Sequence, residues 1–396
     1  MYISEKFKSI SPSPTLSIDA KFKQMKADGM DVVGFGAGEP DFDTPEHIKE
    51  AAITAINQGF TKYTPASGTV ALKQAVVRKL KRDNGLDYTT DQIIISNGAK
   101  HSLVNVFGAI LNPGDEVIIP APYWVSYPEM VKINDGVPVV LPTKEENNFK
   151  FTAKDLISAI TPNTRAFILN SPSNPTGMVY TVEELREIAQ VAVEYNLYII
   201  SDEIYEHLIY GKTKHVSIAS FGEAVKNLTI IINGVSKTYS MTGWRIGYLA
   251  APVEIAKAIA NVQSHATSNP NSIAQVAAAV ALDGPVDDLL KMKEAFKQRR
   301  DYMVERINGM EGVSCLMPDG AFYVMMNIEK LIGREIGGKV IENSDDFAEV
   351  FLKERLVAVV PGTGFAAPYH VRWSYATSME NIKEGLDRLE SLLKDN

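Results

Sequence analysis

The chain has 396 residues, 45% of them hydrophobic and 22% charged, which is ordinary for a globular protein large enough to build two or three units around sizeable cores. Its 40 basic and 48 acidic side chains leave a net charge of −8, spread along the chain. That argues against a nucleic-acid partner, which calls for a basic face, and no apolar run approaches the ~20 residues that span a bilayer.

In chain order, residues 1–12 read as an arm that could cross to a partner. The segment up to Thr44 is expected to pack with the C-terminal part. Within it, Gly34-Phe35-Gly36-Ala37-Gly38-Glu39-Pro40 looks like a dinucleotide loop but fails as one, because Glu39 stands where the third glycine belongs and no helix follows. It remains a glycine-rich turn that can bring backbone close to a ligand. From there, short apolar runs read as buried strands: 93–95, 116–119, 138–141, 166–169, 197–201, 228–232 and 246–250. Helical patterns such as 102–111 and 182–195 lie between several of them. The alternation predicts an α/β unit with a mostly parallel seven-stranded sheet covered on both faces. After Pro285 the texture changes to a long charged helix over 286–307, a β-rich patch at 322–326, a helix over 344–355, a strand at 357–360 and a final helix over 379–393. This predicts a smaller α+β unit. The expected division is an arm and part of the small domain at 1–44, a large domain at 45–285 and a small domain at 286–396.

In such a sheet, ligands gather beyond the carboxyl ends of the strands, and the informative residues follow strands here. Ser96-Asn97-Gly98-Ala99-Lys100-His101 opens a helix with small residues, whose bare N–H groups suit an anion. Trp124, after the strand ending at Ile119, reads as a core aromatic or as a plate for a flat ring. Asn174, in Ser173-Asn174-Pro175, reads either as a turn residue bonding its own backbone or as an amide facing the cleft. Asp202 ends an apolar strand and needs a partner. It reads as an N-cap for a following helix or as the partner of a protonated ring nitrogen, with Tyr205 as core residue or ring contact. Lys237 sits in Val235-Ser236-Lys237-Thr238, just beyond the strand 228–232. Burial there lowers the cost of a neutral amine, which is what a Schiff base with a carbonyl needs. Arg245, eight residues on, has the planar fork that suits a phosphate. A carbonyl and a phosphate in one ligand describe pyridoxal phosphate. Arg372, inside the apolar stretch Val371-Arg372-Trp373, calls for a structural acid or a substrate carboxylate.

One cysteine, Cys315, rules out an internal disulfide and reads as apolar filler near a strand. The six histidines show no metal-ligand spacing, so no metal is expected, and no hydrolase triad is apparent. No secretory signal is seen, so a cytoplasmic protein is expected.

Together, Lys237 through Arg245 with Asn174, Asp202, Tyr205 and Arg372 resemble the class I aminotransferases of pyridoxal-phosphate fold type I, over nearly the whole chain from Ser11 on. The phrases at 38–45, 123–130, 201–207, 241–248 and 359–362 resemble subgroup Ib, the bacterial aspartate aminotransferases. The resemblance implies that Lys237 carries the cofactor as a Schiff base and shuttles a proton. It implies that Asp202 pairs with the ring nitrogen, that Asn174 and Tyr205 bond the 3-oxygen, and that Trp124 stacks on the ring. Gly98, Ala99, Lys100, Ser236 and Arg245 would hold the phosphate. Tyr63 would reach the phosphate of the other subunit, which implies a homodimer with shared sites. Arg372 with Gly38 would hold the substrate α-carboxylate, and Lys100, Ser13 and Thr15 would line the end that takes a distal carboxylate. Ala99, Gly234 and Val235 depart from the common pattern. The implied activity is ping-pong transfer from L-aspartate to 2-oxoglutarate. Prephenate or aromatic substrates, or a pyridoxal-phosphate lyase, are the alternatives.

Overall fold

The computed structural model describes residues 2–395. After a two-residue strand β1 (Val33–Gly34), seven strands form one sheet: β2 (Ile93–Ser96), β3 (Glu116–Ala121), β4 (Val137–Pro142), β5 (Thr164–Asn170), β6 (Tyr198–Asp202), β7 (Thr229–Gly234) and β8 (Gly247–Ala250). Their order is β2-β8-β7-β6-β5-β3-β4. All pair in parallel except β8, which is antiparallel to both its neighbours. The mostly parallel sheet expected from the apolar runs is therefore present.

Those runs are continuous because the central strands are covered on both faces. Ile199 of β6 packs with Leu185 and Ile188 of the helix Val182–Tyr195, while its neighbour Ile200 packs with Leu103, Phe107 and Ile259 on the other side. Successive strand side chains point to opposite faces, so a strand with helices above and below has no polar side to show. The edge strand β4 is different: it has Pro138 and Pro142, and Val137 and Val140 are exposed. Proline blunts an edge because it cannot donate to a further strand. The helix Val182–Tyr195 starts at a capping box, Thr181 with Glu184, and stops at Asn196 in the left-handed conformation.

A second sheet, order β14-β15-β10-β9, joins β9 (Ser314–Cys315), β10 (Tyr323–Asn327), β14 (Val360–Pro361) and β15 (His370–Ser374) in antiparallel fashion. A hairpin of β11 (Glu335–Ile336) and β12 (Lys339–Val340) lies outside it. Helices Asp287–Asn308, Ser344–Arg355 and Met379–Lys394 cover this sheet and form its core with Phe296, Phe347, Trp373 and Leu386. Cys315 is buried on β9 as filler. The strand expected over 357–360 is two: β13 (Val357–Ala358) pairs in parallel with β1, and β14 pairs with β15. The chain changes partner between them.

The β1–β13 pairing ties the N-terminal segment to the C-terminal part. Within the chain, Lys6 Nζ donates to the Asp135 carboxylate at 2.8 Å and to the Ile133 carbonyl at 3.2 Å, and Ser11 N donates to Glu129 at 3.0 Å.

The register of the large sheet fixes where the site falls. Asn170 of β5 is level with Asp202 of β6, which is level with Ile232 of β7. The loops carrying Asn174, Asp202 and Lys237 therefore leave the sheet side by side. Gly247 of β8, level with Gly234, sits where a Cβ would overlap Ala99 N and the carbonyl carbon of Gly98. Only glycine lets the helix Ala99–Ile110 start this close to the sheet. Gly247→Ala is expected to destabilise the protein by about 2 kcal/mol through overpacking against backbone. A lower urea midpoint with unchanged slope is the expected reading.

Candidate active site

The strand ends open into a cavity of about 460 Å³, shared by both sheets and roofed by the helix Pro14–Ala27. Five cationic side chains line it: Lys23 is paired with Asp19 at 2.7 Å, and Lys100, Lys237, Arg245 and Arg372 have no ion pair among the described residues.

Arg372 comes from β15 and is 2% exposed. Its Nη1 donates to Asn174 Oδ1 at 3.0 Å and its Nη2 to the Gly36 carbonyl at 2.9 Å. Its Nε has no partner, and the guanidinium lies 4.4 Å from the centre of the Tyr323 ring. Burial pushes its pKa down, and no carboxylate pairs with it among the described residues. The structural acid that sequence left open is absent, and a buried fork held by neutral acceptors is available for an external carboxylate.

Asp202 is buried at the end of β6. Its carboxylate accepts from Tyr127 O–H at 2.7 Å and from Ile204 N at 3.3 Å. Burial pushes its pKa up to about 6, against the two hydrogen bonds that favour the anion. The N-cap reading fails, because residues 203–207 form a turn and no helix follows. Asn174 gives Oδ1 to Arg372 and its backbone N–H to Asn170 Oδ1 at 2.8 Å, which leaves its Nδ2 as donor to the cavity. Tyr205 O–H meets Tyr323 O–H at 3.0 Å.

Lys237 Nζ donates to the Gly38 carbonyl in a very short contact. Burial lowers its pKa to about 8; Glu39 opposes this, while Arg245 and Arg372 reinforce it. Beside it, Gly98 caps the helix Ala99–Ile110 with no side-chain bond, at φ 85°. The first N–H groups of that helix therefore face the cavity bare. Arg245 donates only to carbonyls, of Thr242 at 2.8 Å and Asn97 at 3.3 Å. A Cβ at Gly98 would overlap its guanidinium. Bare N–H groups, an unpaired guanidinium and Ser236 form a cradle for a dianion.

Lys100 Nζ lies 4.9 Å from the centre of the Trp124 ring, and burial and then Arg245 push its pKa down. Ser13 and Thr15, bonded to each other at 2.9 Å, and Gly38 also line the cavity. Of the residues singled out from sequence, Gly98 lies behind the lining, against Arg245, and Tyr63 lies away from the cavity, 91% exposed. Tyr127, Tyr323 and Glu39 were missed. Tyr127 stands three residues after Trp124, at the start of the helix Ser126–Ile133, and that spacing was the available signal. Tyr323 reaches the cavity through the β10–β15 register, a long-range pairing with no local trace. Glu39 accepts from Thr242 O–H at 2.7 Å and so ties the glycine turn to the Arg245 loop.

The donor set tests well against pyridoxal phosphate. It has an amine with a lowered pKa for the carbonyl, a cradle for the phosphate, a buried carboxylate with no cationic partner for a protonated ring nitrogen, and an indole for the ring face.

The profile of the aminotransferases of class I and II matches residues 30–389. An aspartate aminotransferase of Bacillus sp. (strain YM-2) is 50% identical over 392 residues, 99% of each chain. An aspartate/prephenate aminotransferase of Nitrosomonas europaea is 47% identical over 396 residues, covering 99% of this chain and 100% of its own. The crystal structure of the aspartate aminotransferase of Rhizobium meliloti superposes with a TM-score of 0.96 at 44% identity, over 100% of this chain and 99% of that one.

The lowered pKa of Lys237 makes a direct prediction for the protein without cofactor. The amine is neutral, and reactive, above its pKa. Competitive acylation read by mass spectrometry should show Lys237 labelling rise with a midpoint near pH 8, against about 10.4 for exposed lysines. A midpoint above 10 would contradict this electrostatic account.

Proposed function

This chain belongs to the class I and II aminotransferases, and we propose that it transfers the amino group of L-aspartate to 2-oxoglutarate with pyridoxal phosphate as cofactor. The observation that carries the reading is the set of four cavity cations, Lys100, Lys237, Arg245 and Arg372, with no ion pair to any described carboxylate. Unpaired buried charge is costly, and a phosphate with a dicarboxylic amino acid supplies the missing negative charges.

In this reading Lys237 would hold the cofactor covalently through Nζ, and Arg245, Ser236 and the N–H groups of Gly98, Ala99 and Lys100 would hold its phosphate. Asp202 would pair with the ring nitrogen, Asn174 and Tyr205 would donate to the 3-oxygen, and Trp124 would cover one ring face. When bound, pyridoxal phosphate supplies the electron sink and carries the amino group between the halves of a ping-pong reaction. Arg372 grips the α-carboxylate through both arms of its fork, with the Gly38 backbone beside it, and so orients Cα. Once the substrate amine has taken its place on the cofactor, the freed Nζ of Lys237 would take the proton from Cα, since a pKa near 8 lets the amine serve as a base around neutral pH. Tyr127 keeps Asp202 ionised by donating to it. Lys100, with Ser13 and Thr15 close by, takes the distal carboxylate. Prephenate is the second amino acceptor to test, since one relative is named for it.

We place the boundaries of the two domains at 45–285 and 286–396, with 1–44 joining the small one, because each sheet has its own apolar core. The assembly is a homodimer. Tyr63 is exposed beside Phe60, also exposed, and would serve the partner's phosphate. The compartment is the cytoplasm, where the free thiol of Cys315 stays reduced.

The reading is tested by steady-state kinetics on a panel of amino donors. Lys100→Met should lower kcat/KM for aspartate about 30-fold, the worth of a hydrogen bond to a charged group, and leave alanine within about threefold. Equal losses on both would remove the aspartate assignment. Tyr127→Phe should lower kcat about tenfold by the same measure. It should also move the acid limb of the pH profile to higher pH, because Asp202 loses a donor that favours its anion and its pKa rises further above about 6. An unshifted acid limb would count against Asp202 as the group that must be ionised.

A further inference from the structure

The turn after β6 presents two faces. Asp202 and Tyr205 face the cavity. Glu203 and Glu206 face away from it, into a buried polar network. Lys79, from the helix Val70–Asn84, is 1% exposed, and its Nζ contacts Glu206 Oε1 in a very short ion pair. The same oxygen accepts from Asn233 Nδ2 at 2.7 Å, and Glu206 Oε2 accepts from Asn84 Nδ2 at 2.9 Å. Lys79 Nζ also donates to Asn84 Oδ1 at 2.8 Å. Glu203 is fixed in turn by Ser201 at 2.8 Å, Ser217 at 2.7 Å and His215 Nε2 at 3.0 Å.

Such a pair is expensive to bury and is a weak source of stability. Apolar residues of similar volume often do as well or better. Its geometry suggests another use. Glu206 is held by two other elements, the helix through Lys79 and Asn84, and β7 through Asn233. Asn233 lies four residues before Lys237, and its Oδ1 accepts from Gly234 N at 2.7 Å. One carboxylate thus pins the turn carrying Asp202 and Tyr205 to the strand that leads into Lys237. The charged or titratable groups around it are Lys79, Asp83, His207, His215, Glu203, Tyr239 and Tyr248. Burial raises the Glu206 pKa, but Lys79 and the two histidines outweigh this and hold it at about 2, so the carboxylate stays ionised at any working pH.

We propose that the buried Lys79–Glu206 pair, with Asn84 and Asn233, is the positioning element for Asp202, Tyr205 and Lys237, setting their mutual geometry from behind the sheet without touching substrate or cofactor. The proposal rests on the cofactor reading of those three residues.

The test uses the full-length protein loaded with pyridoxal phosphate, as wild type, Lys79→Met/Glu206→Met and Glu206→Gln. The double variant removes both charges together and so avoids an orphaned one. Glu206→Gln keeps a side chain of the same size, and Lys79 then still has Asp83 at 3.9 Å, which covers the case in which the double variant does not fold. Thermal unfolding, cofactor affinity by quenching of tryptophan fluorescence, the pH midpoint of the bound cofactor's visible band, and kcat and KM are measured. Expected in folded variants are an approximately tenfold weaker cofactor affinity, a shifted pH midpoint, and kcat lower by about 10- to 100-fold with KM within threefold, as misplacement of catalytic groups produces. Lys79→Arg, which keeps the charge, should recover most of the loss. A folded variant with cofactor affinity, pH midpoint and kcat all within twofold of wild type would overturn the proposal alone. A wild type that binds no pyridoxal phosphate would overturn both this proposal and the reading beneath it.

Discussion

Four cations meet in one cavity with no described carboxylate paired to them, and the rest of the site is arranged around that imbalance. Like charges repel, and protein gives less screening than water. The chain meets the cost in three ways. Arg372 and Arg245 are held by neutral carbonyl and amide oxygens, which fix their forks without cancelling the charge. Lys237 and Lys100 have lowered pKa values and give up charge more readily. Aromatic faces, Tyr323 under Arg372 and Trp124 under Lys100, supply weak attraction without an anion. The result is a cavity whose unpaired positive charge suits anionic ligands.

The two sheets divide the work. The large one brings Asn174, Asp202 and Lys237 to one edge by register alone, and the start of a helix adds the anion cradle. The small one contributes Arg372, on an antiparallel strand whose neighbour carries Tyr323. The N-terminal segment joins them: Gly36 accepts from Arg372 and Gly38 from Lys237. The buried guanidinium of Arg372 and the amine of Lys237 thus come from different sheets and share one short glycine turn. A Cβ on Gly38 would come into ordinary contact with the Tyr323 hydroxyl at 3.4 Å.

Much of this was legible in the chain. Apolar runs three to five residues long marked all seven large-sheet strands, because a parallel sheet buried on both faces has no polar alternation to obscure it. The cavity residues stand in the loops just after those runs, and the runs locate them because the carboxyl ends of neighbouring parallel strands lie together. The features that were not legible depended on distant pairing. The N-cap reading of Asp202 was a fair local inference, but tertiary contacts made a turn there. The split of 357–360 into β13 and β14 comes from the two partners on offer, and neither is visible locally. Lys79 reads as one more charge on a helix of charges, and only the fold shows that it is buried against Glu206. Tyr127 and Tyr323 look like ordinary core aromatics until Asp202 and Tyr205 are placed beside them.

The most direct measurement mixes the purified protein, saturated with pyridoxal phosphate, with L-aspartate and no oxo acid. The visible band of the bound cofactor and the oxaloacetate released are followed together. The account predicts that the band is lost and that one equivalent of oxaloacetate per chain appears, after which the reaction stops until 2-oxoglutarate is added. A band unchanged by aspartate, or product that keeps forming past one equivalent with release of ammonia or carbon dioxide, would contradict it.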